Sequence, residues 1–267
     1  ILLEANDRVG GQLLLAAKVK RRKEVFGIVD WLLKEINFLG VKLKLNFFAD
    51  LNNVLSENPD VVIVATGGIP NTKFLKKGSN LVVSTWDILA GNVKPKKNIL
   101  IFDDNGQHPG ISCCEFLCDF STKIEYVSPE RTIAPDVGGT NYPAYIKKLY
   151  KNDVLITLNH RLIEVKKCNS VYNAILYNEY SNLETVRTVD QIVVEHGTLP
   201  LDEIYFKLQK LSVNLGQVNL DELLSFKPQT VLKKPENKFK LYRVGDAVAS
   251  RNIHSAIYDS LRLCKEI

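Results

Sequence analysis

The 267-residue sequence contains no methionine. A complete translation product normally begins with one, whereas this chain opens on Ile1-Leu2-Leu3-Glu4, which reads as the inside of a strand. The expectation is a fragment or processed piece that starts in mid-fold, truncated at its amino end. No apolar run reaches the ~18 residues that a membrane span needs, and these residues show no signal-peptide pattern, which a fragment would have lost with its upstream segment. There is no C-x-x-C pair, which excludes disulfide-reductase chemistry, and no defensible Ser/His/Asp or Cys/His nucleophile arrangement. The five cysteines (Cys113, Cys114, Cys118, Cys168 and Cys264) are odd in number and unevenly spaced. That argues against a disulfide framework and fits a reducing cytoplasm. Cys114 and Cys118 share one face of a predicted helix, where they read as small buried apolar residues rather than metal ligands.

What is present suits an ordinary packed domain. Hydrophobic residues make up 45% of the chain and charged ones 24%, enough apolar surface for a real core and too little charge for disorder. The formal net charge is +5. Its one dense basic run, Lys18 to Lys23 (KVKRRK), reads as a solvated face. No nucleic-acid fold signature accompanies it, so no nucleic-acid partner is expected.

Apolar periodicity predicts alternating strands and helices, a layered α/β architecture. A helix over 25–39 ends at Gly40, an alternating strand follows in VKLKLN, and a short helix covers 50–57. Residues 61–68 (VVIVATGG) form a continuous apolar run, as in a parallel strand buried on both faces. A β-α-β unit follows, with strand 98–103, turn, helix 111–120 and strand 123–128. A helix near 142–151 leads into strands at 153–158, 161–167, 171–178 and 189–194. The remainder reads as a helix over 202–211, a Lys- and Pro-rich linker over 225–238, the strand LYRVGDA and a closing helix over 252–266.

Three segments carry the chemistry together. In LLEANDRVGGQL, Glu4 stands where a carboxylate at the tip of the second strand of a Rossmann unit accepts hydrogen bonds from ribose hydroxyls. Arg8, Gly10 and Gly11 follow, letting the backbone pass close to a nucleotide. In VVIVATGG, Thr66, Gly67 and Gly68 let the chain turn sharply beside a ligand crevice. In LYRVGDAVASRNIHSAI, a strand ends in Gly245-Asp246. Asp246 can accept hydrogen bonds from sugar or ribityl hydroxyls, with a helix N-terminus close behind. Each also reads, taken alone, as an ordinary turn.

Glu4 with GGQL, then ATGG, then GDA before a helix, resembles the downstream signatures of flavoproteins with two dinucleotide-binding domains. STWDILAG (Ser84 to Gly91) and GDAVASRNIH bring the resemblance closest to the carboxyl-terminal half of trimethylamine dehydrogenase-like enzymes. That family includes 2,4-dienoyl-CoA reductase, histamine dehydrogenase and N-methylproline demethylase. The resemblance implies two Rossmann-like domains of the FAD/NAD(P)-binding fold. One comprises residues 1–93 plus 198–267 and binds FAD or ADP, its first strand and glycine loop missing; the other comprises 94–197. It also implies an upstream TIM barrel carrying FMN, a 4Fe–4S cluster and the site for a small-molecule amine substrate. Carried over residue by residue, Glu4 contacts the adenosine ribose, and Gly10, Gly11 and Gln12 lie near the nucleotide. Thr66, Gly67 and Gly68 line the crevice, and Asp246 holds the ribityl or ribose-phosphate part. Apart from the resemblance, His254 sits in the first turn of the closing helix, where it is expected to line the cofactor.

The second unit departs from the pattern. Where an NAD(P) domain shows G-x-G-x-x-G, this chain has Asp103-Asp104-Asn105-Gly106-Gln107-His108-Pro109-Gly110. Two carboxylates would repel a pyrophosphate, and Pro109 supplies no N–H. That favours members passing electrons to a carrier such as an electron-transfer flavoprotein over nicotinamide-dependent reductases. His108 reads as a structural hydrogen bonder, and Asn141, Tyr142 and Tyr145 as shaping an inter-domain face. The alternatives are a structural ADP scaffold and an NAD(P)H-dependent enoyl reductase. On its own the chain is expected to bind nucleotide poorly and to catalyse nothing.

Overall fold

The computed structural model of the chain describes residues 1–265. It is a mixed α/β fold whose contacts divide it into two units. The first comprises Ile1–Val9, Leu33–Ile69 and the stretch from Thr198 onward; the second comprises Gly10–Leu32 and Pro70–Gly197. Residues 70–93 thus group with the second unit.

The second unit is built on a five-stranded parallel sheet. Its strands, in spatial order, are Val83–Ser84, Gln191–Glu195, Asn98–Asp103, Lys123–Val127 and Leu155–Thr157. The central strand NILIFD is apolar from Ile99 to Phe102 because both of its faces are covered. Ile99 and Ile101 pack into a core with Ile111, Cys113, Cys114, Leu117, Tyr145 and Leu149 from the crossover helices His108–Leu117 and Tyr142–Lys151. Leu100 and Phe102 point the other way, into a core shared with Leu162, Val165, Ala174 and Leu176. Those residues belong to an antiparallel sheet of His160–Cys168, Val171–Asn178 and Leu183–Val189. The expected cysteine role holds: Cys113, Cys114 and Cys118 are buried.

Several boundaries differ from expectation for local reasons. The helix predicted over 111–120 begins at His108, because Pro109 in a first turn forfeits no intrahelical hydrogen bond. The strand predicted over 189–194 is Gln191–Glu195, and a further strand that was not expected, Leu183–Val189, precedes it. STWDILAG folds as a capped helix, Thr85–Ala90. Ser84 Oγ accepts from Asp87 N at 3.1 Å, Ser84 N donates to Asp87 Oδ2 at 2.9 Å, and Gly91 closes it at φ +81°. The basic run is not a solvated face throughout. Val19 is buried, Arg21 donates to both carboxylate oxygens of Glu115 at 3.2 and 3.1 Å, and its guanidinium lies 4.1 Å over the Tyr145 ring. Lys20 pairs with Asp119.

In the first unit, Leu2–Leu3 pairs in parallel with Leu43–Lys44, and Val61–Val64 pairs in parallel with Lys240–Arg243. Val64, Leu241 and Ala247 form a core with Tyr205 and Leu208 of the Glu203–Gln209 helix. Asp50 caps the Leu51–Ser56 helix through Asn53, its side chain accepting from Asn53 N at 2.8 Å. The 225–238 linker contains no helix or strand, and the closing helix is Ile253–Cys264. Its predicted end at Glu266 lies outside the described residues. Among the described residues no helix is long and apolar enough to cross a membrane.

Candidate nucleotide-binding site

The register of one strand pair builds the centre of the candidate site. Val64 faces Arg243 in the parallel pair, and Val244 N donates to Val64 O at 3.1 Å, so the strands leave their carboxyl ends together. One continues into Ala65-Thr66-Gly67-Gly68 and the other into Gly245-Asp246. The carboxyl ends of adjacent parallel strands are where open α/β sheets place ligands.

The two glycines of ATGG answer different demands. Gly67 has φ +72°, and a Cβ built there meets nothing within 4 Å, so open space adjoins the backbone. At Gly68 a Cβ would lie 2.8 Å from Leu199 O and 2.9 Å from Thr198 Cβ, so this glycine admits the neighbouring chain. Leu201 ties the turn down: its N–H donates to Gly67 O at 3.0 Å, and its carbonyl accepts from Thr66 Oγ1. Thr66 is itself exposed.

Asp246 sits in the single helical turn Gly245–Ala247, where Gly245 takes φ +62°. Asp246 Oδ1 accepts from Arg251 N at 3.0 Å and Oδ2 from Thr198 Oγ1 at 3.4 Å. Asn252 caps the closing helix by accepting from Ser255 N at 2.9 Å. Asp259, one face back, accepts from Gly245 N at 3.2 Å and pairs with Arg251 and Arg262. Burial alone would raise its carboxyl, but Arg251, the Gly245 N–H and Arg262 hold it below the usual range. His254 stands exposed in the first turn, stacked on Tyr258 with ring centres 6.3 Å apart.

Thr66, Gly67, Gly68 and Asp246 are thus brought together, with His254 on the helix that follows. Glu4 belongs to the same unit but ends a separate strand pair. It is half-buried, and its Oε1 accepts from both Asn6 N and Asn6 Nδ2 at 2.8 Å. Arg8 is exposed. Gly10, Gly11 and Gln12 group with the second unit. There Gly10, at φ +121°, abuts Leu14 and Val29, and Gly11, at φ +47°, is the N-cap of the short Gln12–Ala16 helix. A cavity of about 300 Å³ opens at the amino ends of the Val61–Val64 and Lys240–Arg243 strands, lined by Asp60, Val61, Lys240 and Tyr242. It lies at the wrong end of those strands for the ATGG and GDA turns.

The Asp103–Gly110 turn of the second unit is densely bonded. Asp103 is fully buried, and its Oδ1 accepts from Asn105 N at 3.0 Å and Gly106 N at 3.2 Å. Tyr126 donates its hydroxyl to Oδ2. Glu195, facing Asp103 across the strand pair, accepts from Asn105 Nδ2 at 3.1 Å, Gly197 N at 3.0 Å and Thr85 Oγ1. Asp104 pairs with His196, whose ring stacks on Phe74 at 4.4 Å. His108 Nδ1 lies 3.0 Å from Tyr145 Oη, a structural hydrogen bond as expected. Burial, then Arg22 and Arg21, push its pKa down to about 4. Tyr145 is fully buried, and its hydroxyl also meets Ser112 at 2.7 Å and Arg22 at 3.1 Å. Sequence reasoning missed Glu195, Thr85 and Arg21, because each finds its partner about 90 residues or more away.

No protein-family model matches the chain. A probable N-methylproline demethylase of Rhizobium meliloti (strain 1021) is 45% identical over 267 residues, 100% of this chain and 39% of the relative. This chain is homologous to a segment of N-methylproline demethylase and its relatives. An N,N-dimethylglycine/sarcosine dehydrogenase of Chromohalobacter salexigens is 39% identical over 276 residues, 99% of this chain and 40% of the relative. The chain therefore spans about two fifths of the length of these oxidoreductases, 39% and 40%. Among solved structures, a 2-naphthoyl-CoA reductase complex aligns with TM-score 0.79 at 21% identity, over 99% of this chain and 36% of that one. At that identity the likeness shows a shared fold.

Proposed function

We propose that this chain is the nucleotide-binding, electron-transfer portion of a flavin-dependent oxidoreductase that oxidises or demethylates an N-methylated amine. In this reading both units are Rossmann-like: the first unit binds FAD or ADP, and the second is the NAD(P)-like one. The substrate chemistry belongs to an FMN- and 4Fe–4S-bearing TIM barrel beyond these residues, with electrons leaving to a carrier such as an electron-transfer flavoprotein in the cytoplasm. The observation that carries the reading is the pairing of ATGG with GDA at the carboxyl ends of two adjacent parallel strands. Homology over nearly the whole of this chain to a segment of enzymes named for N-methylproline and dimethylglycine supports the amine class.

The residues present fit a nucleotide. Open space beside Gly67 leaves room for a ligand to approach bare backbone, and Thr66 is exposed next to it. Asp246 is oriented by the Arg251 N–H and the Thr198 hydroxyl, which presents a carboxylate to sugar or ribityl hydroxyls. Glu4 is oriented by Asn6 as an acceptor for a ribose, and Arg8 and His254 are an exposed cation and an exposed flat ring in the same unit. Bound flavin supplies the electron-accepting chemistry; the chain's residues bind and orient it.

Ligand extracted from the purified full-length protein and separated by chromatography tests this. FAD, retained in wild type and reduced severalfold by Asp246→Ala while FMN content holds, is the expected outcome. Colourless ADP in its place would make the first unit a structural scaffold. No adenine nucleotide at all, in a full-length protein that keeps its FMN, would refute the assignment of the site.

A further inference from the structure

In a dinucleotide-binding unit, the turn after the first strand holds a pyrophosphate with its backbone N–H groups at a helix N-terminus. The second unit has the strand, the turn and the helix, but its turn N–H groups are already engaged. Asn105 N and Gly106 N both donate to Asp103 Oδ1, at 3.0 and 3.2 Å. The other oxygen lies against the helix start: a Cβ on Gly110 would fall 2.1 Å from Asp103 Oδ2. The last glycine of the turn therefore makes room for this carboxylate. Gly106, at φ +71°, is backed by Pro135, whose ring lies 3.0 Å from where its Cβ would be.

Glu195 locks the arrangement from the next strand. Asn105 is gripped twice, its backbone N–H by Asp103 and its side-chain amide by Glu195. Among the described residues neither Asp103 nor Glu195 forms an ion pair with a Lys, Arg or His. Burial is the main cause that raises both carboxyls, Asp103 to about 6 and Glu195 to about 7. Tyr126 and the two turn N–H groups act against burial at Asp103 by stabilising its charged form.

We propose that Asp103 is a built-in anion, occupying the N–H groups a dinucleotide pyrophosphate would need and so closing the second unit to NAD and NADP. An incoming pyrophosphate would have to displace a fully buried, triply bonded carboxylate and then sit beside Asp104 and Glu195. The turn is thus a self-satisfied remnant rather than an open cradle. The nicotinamide-dependent enoyl reductase reading loses its cofactor site in this unit. The proposal is independent of the nucleotide assigned to the first unit.

Site-resolved hydrogen exchange on the full-length protein tests it, because the readout is local even if nicotinamide nucleotides bind elsewhere. Millimolar NADH or NADPH should leave exchange across residues 103–110 unchanged in wild type. Asp103→Ala should speed exchange at Asn105 and Gly106 by about tenfold or more, as expected for losing a buried charged acceptor. Asp103→Asn keeps an acceptor oxygen and should fall between the two, which covers the case where the alanine variant fails to fold. Protection of residues 103–110 by either nucleotide in wild type would overturn the proposal. So would unchanged Asn105 and Gly106 exchange in whichever Asp103 variants fold.

Discussion

Replacing Glu195 by glutamine should flatten part of the pH dependence of stability in the second unit. Glu195 is 5% exposed, and burial, then the neighbouring Asp103 charge, raise its carboxyl from 4.5 to about 7. Between those values the folded protein binds more protons than the unfolded chain, so stability falls as pH rises through the window and levels off above about 7. The full loss is about 3 kcal/mol at 1.4 kcal/mol per tenfold in protonation. Glutamine cannot ionise, and its oxygen can keep accepting from Gly197 N and Asn105 Nδ2, while its amide can donate to Thr85 Oγ1. Urea unfolding at steps between about pH 5 and about pH 8 measures the effect. Both tryptophans of the chain, Trp31 and Trp86, lie in the second unit, so their fluorescence reports on it. The difference between variant and wild type is the quantity to follow. His108, lowered to about 4, acts oppositely, adding stability as pH rises towards its ordinary 6.5, and this contribution cancels in the difference. That difference should move in favour of Glu195→Gln by about 2–3 kcal/mol across the range. A difference that stays constant with pH would refute the reasoning.

Further perturbations separate packing from charge. Arg21→Ala leaves the Glu115 carboxylate, 10% exposed, without its bidentate partner, and should cost about 2 kcal/mol in chemical denaturation. Arg21→Lys should recover little of it, since one ammonium cannot reproduce the fork or the stacking on Tyr145. Gly68→Ala should cost about 1–3 kcal/mol through its clash with Thr198 and Leu199. Gly67→Ala should cost about 1 kcal/mol, from backbone strain alone, and a larger loss at Gly67 than at Gly68 in thermal unfolding would contradict the geometry. Gly110→Ala should be among the most damaging single-methyl additions in a thermal-shift series, because the new carbon has Asp103 in its way.

Much of the architecture was legible because burial on two faces leaves a plain mark. NILIFD and KIEYV read as strands of a parallel sheet, and they are. VVIV also pairs in parallel, but the burial on both faces expected of it does not hold, because Ile63 is exposed in a two-stranded sheet. LETVRTV escaped notice because its covered face itself carries Thr185 and Arg187, the latter paired with the buried Glu125, while Val186 faces outward. The candidate nucleotide turns were readable from ATGG and GDA, since both depend on local backbone chemistry. The charge of KVKRRK misled for the opposite reason. Arg21 and Arg22 are fixed by Glu115, Ser112 and Tyr145, about 90 to 120 residues on, and composition carries no trace of that. Asp103 was visible as an obstacle to a pyrophosphate, but its bonds to its own turn depend on a side-chain conformation that no pattern encodes.

The strand pair at the centre of the candidate site joins residues roughly 180 positions apart, Val61–Val64 with Lys240–Arg243. The second unit, by contrast, closes at Gly197. During synthesis the second unit is complete while the first still lacks its final strand and closing helix. The ATGG turn therefore emerges early and waits, unpartnered, for the segment that gives it a neighbour. Slow closure of so large a loop makes the first unit the late-folding one, and its exposed Val61–Val64 strand the point where a stalled chain would mispair.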